Sequence, residues 1–166
     1  MSDYHRTTRE CSVSQLNPEV LLAFRNYFRE HQLGDLESET LMCCETLSQK
    51  KNLGRLVSWL DSSSDTTIHT GIVLTSQWLI WVRSGNKSGT LLTAADLTHI
   101  SVRPYSSLFA KDTGLEVSGY IEGSQVRGYI GMGPELTAQK FCEEVRQAIA
   151  RINPPVKTTW PKWLGG

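Results

Sequence analysis

The sequence lacks a net charge: 17 lysines and arginines balance 17 aspartates and glutamates. A dedicated nucleic-acid binder carries a basic excess, because neutralising phosphates drives its affinity. No nucleic acid is therefore expected as a partner. Long apolar runs are also missing. The most apolar stretch, residues 72–82, is interrupted by Thr75, Ser76 and Gln77, and a spanning helix needs about 20 apolar residues. No transmembrane segment is expected. Residues 1–6 contain no apolar core of a secretory signal, and Ser2 stands where N-myristoylation requires glycine. A cytoplasmic location is the resulting expectation.

The four cysteines, Cys11, Cys43, Cys44 and Cys142, include no Cys-x-x-Cys, so zinc and thioredoxin-like chemistry lack their usual spacing. Adjacent Cys43 and Cys44 would point to opposite faces of a strand, a poor geometry for bridging each other. Reduced, mostly buried thiols are expected.

Catalytic signatures are absent as well. Gly85-Asn86-Lys87-Ser88 lacks the glycine before Lys-Ser that a phosphate loop requires, and reads as a hairpin turn. The glycines at 128, 131 and 133 have reversed spacing relative to a dinucleotide fingerprint and suit a bent last strand. Gly114 to Gly119 misplaces the serine of a nucleophile elbow. His5, His31, His69 and His99 are scattered; a meeting of His69 and His99 across a sheet is the one arrangement that would offer a metal two imidazoles. Glu116 and Glu122 read as a solvated strand face. No catalytic residue, metal ligand or cofactor is assigned, and the chain is not read as an enzyme.

At 166 residues the chain is long enough for one domain with a real core. Residues 1–16 are polar and aperiodic and read as a loose arm. Asn17-Pro18-Glu19 starts a helix with a cap, a first-turn proline and an acid. Val20, Phe24, Tyr27 and Phe28 form its apolar stripe, and Leu33-Gly34 stops it.

From about residue 38 the period shortens. Segments 40–47 and 54–60 read as strands about a turn at 50–54, followed by a polar loop at 61–65. The strongest strands are 67–75 and 78–83, rich in β-branched and aromatic residues. The second is apolar on both faces, as a central strand is, or one whose outer face meets the N-terminal helix. Short strands at 90–93, 97–103, 115–122 and 126–132 follow, the third of these seven-odd strands from the end being closed by Pro104. A final helix opens at Pro134-Glu135, with Leu136, Phe141, Val145, Ala148, Ile149 and Ile152 on one face. Asn153-Pro154-Pro155 stops it.

The expected fold is mainly β (α+β): a curved antiparallel sheet or partly open barrel of about seven strands, capped by a C-terminal amphipathic helix, with an extra N-terminal helix. Gly71 to Thr75 leading into Leu79 to Val82, Ala95 to Val102, and Tyr129-Ile130-Gly131 passing into the helix carry a resemblance. In these segments the chain resembles the bacterial pleckstrin-homology-like (PH/GRAM-like) domains. It departs from them at Ser76-Gln77-Trp78, where an arginine is common. The division that follows is 1–36 as arm and helix, 37–153 as the PH-like domain, and 154–166 as a tail.

The resemblance implies a non-catalytic interaction module that contacts a protein partner or self-associates. Its candidate contacts are Phe24, Tyr27 and Phe28 on the N-terminal helix, and Trp160 and Trp163 in the tail. Two tryptophans are costly to leave in water, so the tail either folds back on the sheet or docks on another chain or a membrane interface. The alternative the resemblance implies is anionic headgroup binding at a membrane surface through a basic loop, with Lys50, Lys51 and Arg55 as ligands.

Overall fold

Strand formation is strongest where β-branched and aromatic residues crowd. The structure, a computed structural model describing residues 4–51, 65–107, 112–121 and 123–154, builds outward from such a pair. β3 (Thr67–Leu74) and β4 (Trp78–Gly85) form an antiparallel hairpin. β2 (Met42–Lys50) pairs with β3, and β5 (Gly89–Asp96) pairs with β4. Outside β2 lies β1 (Tyr4–Glu10), which completes a five-stranded antiparallel sheet in the order β1-β2-β3-β4-β5. A second, three-stranded sheet contains β6 (Ile100–Ser107), β7 (Asp112–Ile121) and β8 (Ser124–Gly131). Among the described residues the two sheets do not join into a closed barrel. The expected strand at 54–60, the end of its turn and the tail from residue 155 lie outside the described residues.

Two helices sit between β1 and β2: α1 (Pro18–Glu30) and the short α2 (Leu36–Glu39). Asn17 caps α1 by accepting from the Glu19 N–H at 3.0 Å, satisfying a donor that the helix leaves open. α3 (Leu136–Ile152) closes the fold.

Alternation along the strands divides the core in two. Cys43, Val73, Ile80 and Val82 face outward and pack against Val20, Phe24 and Phe28 of α1. Cys44, Ile72, Leu74 and Leu79 face inward and meet Leu115, Val117 and Ile130 of the second sheet, with Phe141 and Val145 of α3. The two neighbouring cysteines thus enter different cores, and β4 is covered on both faces. α1 approaches β3 so closely at Gly71 that a Cβ there would overlap Val20 Cγ1 and lie 3.0 Å from the Phe24 ring.

Four features differ from the sequence expectations. Residues 4–10 are a strand, not a loose arm. Their ladder to β2 is reinforced by a Thr8–Thr46 hydroxyl contact of 2.8 Å, and Glu135 accepts from the Thr8 N–H on the edge. Pro104 lies within β6 and does not end it. β6 is an edge strand of its sheet, where a missing N–H costs no ladder bond. Leu136 is 80% exposed on the first turn of α3, so the buried stripe is Ala138, Phe141, Cys142, Val145 and Ala148. Glu116 is buried, covered by Arg103 and Arg127, whose guanidinium groups donate to it at 3.0 and 2.6 Å.

Glu45 is a further buried carboxylate. It accepts from Arg9 of β1 at 2.6 Å and from the Asn17 N–H at 2.8 Å, so one side chain joins β1, β2 and the start of α1.

Candidate functional site

The inner face of the large sheet is longer than the second sheet covers. One end holds the apolar core; the other opens into a cleft of about 300 Å³. Strand alternation places Arg6 of β1, Ser48 of β2, Thr70 of β3, and Trp81 and Arg83 of β4 along its floor. Leu91 and Thr93 extend that floor to β5, and Tyr129, Ile130 and Gly131 of β8 form the facing wall.

The wall depends on glycines. A Cβ at Gly131 would lie 2.6 Å from Arg6 Nε, so the absence of a side chain there lets the guanidinium cross β8. Tyr129 stacks edge-on against Tyr105, with ring centroids 4.7 Å apart, and donates its hydroxyl to the Thr113 carbonyl at 2.6 Å. Burial pushes the Tyr129 phenol up to about 12, against the opposing pull of Arg6. It is a neutral hydrogen-bonded wall at neutral pH.

The described residues that line the cleft include two guanidinium groups, those of Arg6 and Arg83. The nearby Asp65 carboxylate is engaged by the β4–β5 hairpin. Hydrogen bonds from Ser88 and the Lys87 N–H hold it below the usual carboxylate range. Tyr4 donates its hydroxyl to the Asp65 carbonyl at 2.8 Å and so closes the cleft's end. Among the described lining residues, the Ser48, Thr70 and Thr93 hydroxyls are accompanied by no histidine or carboxylate. The arrangement supplies positive charge, hydroxyl groups and flat apolar surface.

A second groove, about 430 Å³, runs between β6 and α3. Its charged residues, Glu143 and Arg146, pair with each other at 3.8 Å, so it has no comparable bias toward one charge.

The predicted basic residues fall partly beside the cleft. Lys50 stands opposite Tyr4 in the β1–β2 ladder and shares its face, and Lys51 follows it. Arg55 lies outside the described residues, as do Trp160 and Trp163. Phe24 and Phe28 are buried against the chain's own sheet and present no surface to a partner; Tyr27 is half-buried and packs against the His31 ring. His69 and His99 lie beside different carboxylates: His69 Nδ1, which has no hydrogen-bond partner among the described residues, is 3.6 Å from Glu45, and His99 Nδ1 is 3.7 Å from Asp96. No metal-binding cluster occurs among the described residues. Arg6 and Arg83 were not singled out by the sequence: Arg83 sits in an expected strand, whereas Arg6 belongs to the segment read as a loose arm.

No protein-family model matches the chain, and no curated protein matches it in sequence. Fold and site together describe a mainly β domain with a basic, aromatic-lined cleft.

Proposed function

We propose that this chain is a non-catalytic PH-like binding module that holds an anionic, phosphate-bearing group in the cleft. Four strands β2–β5, three strands β6–β8 and the closing helix α3 support the PH-like reading, with β1, α1 and α2 as additions. The single observation that carries the ligand class is the lining: the Arg6 and Arg83 guanidinium groups share it with the Ser48, Thr70 and Thr93 side chains. Guanidinium groups bind phosphate through charge-assisted, often paired hydrogen bonds. Trp81 and Tyr129 offer apolar surface to the rest of the ligand.

The anionic group belongs either to a lipid headgroup or to a free phosphorylated molecule. Co-sedimentation with phosphatidylserine-containing vesicles, beside calorimetry with a soluble inositol phosphate, separates these sources. Binding in either arm should weaken roughly tenfold to a hundredfold for each of R6A and R83A, as expected for losing a charged hydrogen bond. Equal binding by the R6A/R83A double variant, or equal sedimentation with neutral vesicles, would overturn the reading.

A second reading, self-association, is favoured by one observation. β5 is an edge strand with no charged residue or proline from Gly89 to Ala95, and its Leu91 is 67% exposed. Edges without such guards pair readily with another copy.

A further inference from the structure

β1 leaves the large sheet at Glu10, which stands opposite Cys44. The ladder nevertheless extends by one step, because the Cys11 N–H donates to the Cys43 carbonyl at 3.1 Å. Cys11 is thereby set directly across from Cys43, and the two sulfurs lie 3.9 Å apart. Facing residues in an antiparallel ladder have Cα atoms about 4.5–5.5 Å apart, within the range a disulfide spans. Rotation of the side chains is enough to bring the sulfurs together. Cys44 points into the opposite core and Cys142 sits on α3, so the geometry selects one pair from four thiols.

We infer that Cys11 and Cys43 are a dithiol modification site, forming an intramolecular disulfide when the chain meets a hydroperoxide. The pair is asymmetric in a way that suits this chemistry. Cys11 is partly exposed, whereas Cys43 is buried. The contact with the Cys43 sulfur, aided by the Arg9 guanidinium, holds Cys11 below the usual thiol range, while the same contact and burial push Cys43 up. Cys11 is the attacking sulfur. Its thiolate attacks a peroxide oxygen: an S–O bond forms, the O–O bond breaks, and the departing oxygen leaves as hydroxide or alkoxide. Cys43 then attacks the sulfenic acid. An S–S bond forms, the S–O bond breaks, and the leaving hydroxyl departs as water with the Cys43 proton. The peroxide is reduced by two electrons and the dithiol is oxidised by two.

The bridge would close residues 12–42, which contain α1 and α2, into a loop fastened at the base of β1. Closing a loop of that length restricts the unfolded chain. The oxidised form therefore holds β1 and α1 on the sheet more firmly than the reduced form. This inference is independent of any ligand in the cleft.

The test treats the full chain with hydrogen peroxide, alkylates the remaining thiols under denaturing conditions, and reads intact mass and a peptide map. The expected result is two alkylated thiols instead of four and a Cys11–Cys43 peptide. C44S should retain this bridge and C11S should abolish it; C11S alters a partly exposed position, so loss of folding does not confuse the outcome. The wild type, but not C11S, should also unfold at a higher temperature after peroxide than after dithiothreitol. Four alkylated thiols after peroxide, a bridge involving Cys44 or a second chain, or sulfinic acid at Cys11 without a bridge would overturn the proposal.

Discussion

Replacing Gly71 by alanine tests whether α1 is an integral layer of this domain, because the sign of the effect depends on it. Gly71 lies in β3 and does not adopt a left-handed conformation. On an uncovered strand, Gly→Ala at such a site is stabilising by about 0.4–1 kcal/mol, since it restricts the unfolded chain. Under α1 the same methyl overlaps Val20 Cγ1 and stands 3.0 Å from Phe24 and 3.4 Å from Leu16. Carbon atoms prefer separations of about 3.5–4.0 Å, so α1 must withdraw by roughly 1 Å. Overpacking of this kind costs about 1–3 kcal/mol. For a chain of this length that lowers Tm by roughly 2–4 °C per kcal/mol. V20A alone removes two buried methyl groups and is itself destabilising, by about 0.8 kcal/mol per group before any cavity cost. In G71A/V20A the overlapping atom is gone, so the double variant should be more stable than the sum of the single effects by about 1 kcal/mol or more. Urea unfolding followed by circular dichroism supplies all three values. A neutral or stabilising G71A, or strict additivity with V20A, would refute close packing of α1 on β3.

The remaining predictions concern the second sheet and the free edge. Hydrogen bonds from Arg127 and Arg103 hold the Glu116 carboxyl below its ordinary value of 4.5. Its folded pKa is depressed, so its contribution is present above that ordinary value and is lost as pH falls through the folded one. E116Q should therefore unfold at lower urea than the wild type at pH 7, and the gap should shrink on acidification below about 4.5; a gap independent of pH would contradict this linkage. If β5 pairs with a second copy, light scattering should give a dimer that L91P disperses, since proline removes a donor from the edge; a strict monomer at high concentration removes the self-association reading.

The cleft and the thiol pair also bear on each other through β1. That strand contributes Arg6 to the cleft and leads into Cys11, while Glu45 and Thr46 of β2 hold it through Arg9 and Thr8. Loss of β1 would remove one of the two guanidinium groups, along with the Thr8 and Glu10 bonds to Gly133, Glu135 and Lys140 at the start of α3.

Much of the fold was legible because its signals are local. α1 and α3 follow from caps and apolar spacing, β3 and β4 from crowded β-branched and aromatic residues, and the opposed destinations of Cys43 and Cys44 from strand alternation. Those properties act over a few residues and can be read in order along the chain. β1 was not legible, because Tyr4 to Glu10 has no apolar alternation and owes its place to a ladder and to Thr8, Arg9 and Glu10 contacts with distant residues. Pro104 was read as a terminator because its position at an edge exists only once sheet order is known. Glu116 looked solvated because the arginines covering it come from neighbouring strands. By itself the sequence determined α1, α3 and the central strands β3 and β4. Only the tertiary structure decided that Arg6 and Arg83 line one cleft and that Cys11 faces Cys43. Pairing and register are set by contacts summed across strands far apart in the chain, and no local pattern records them.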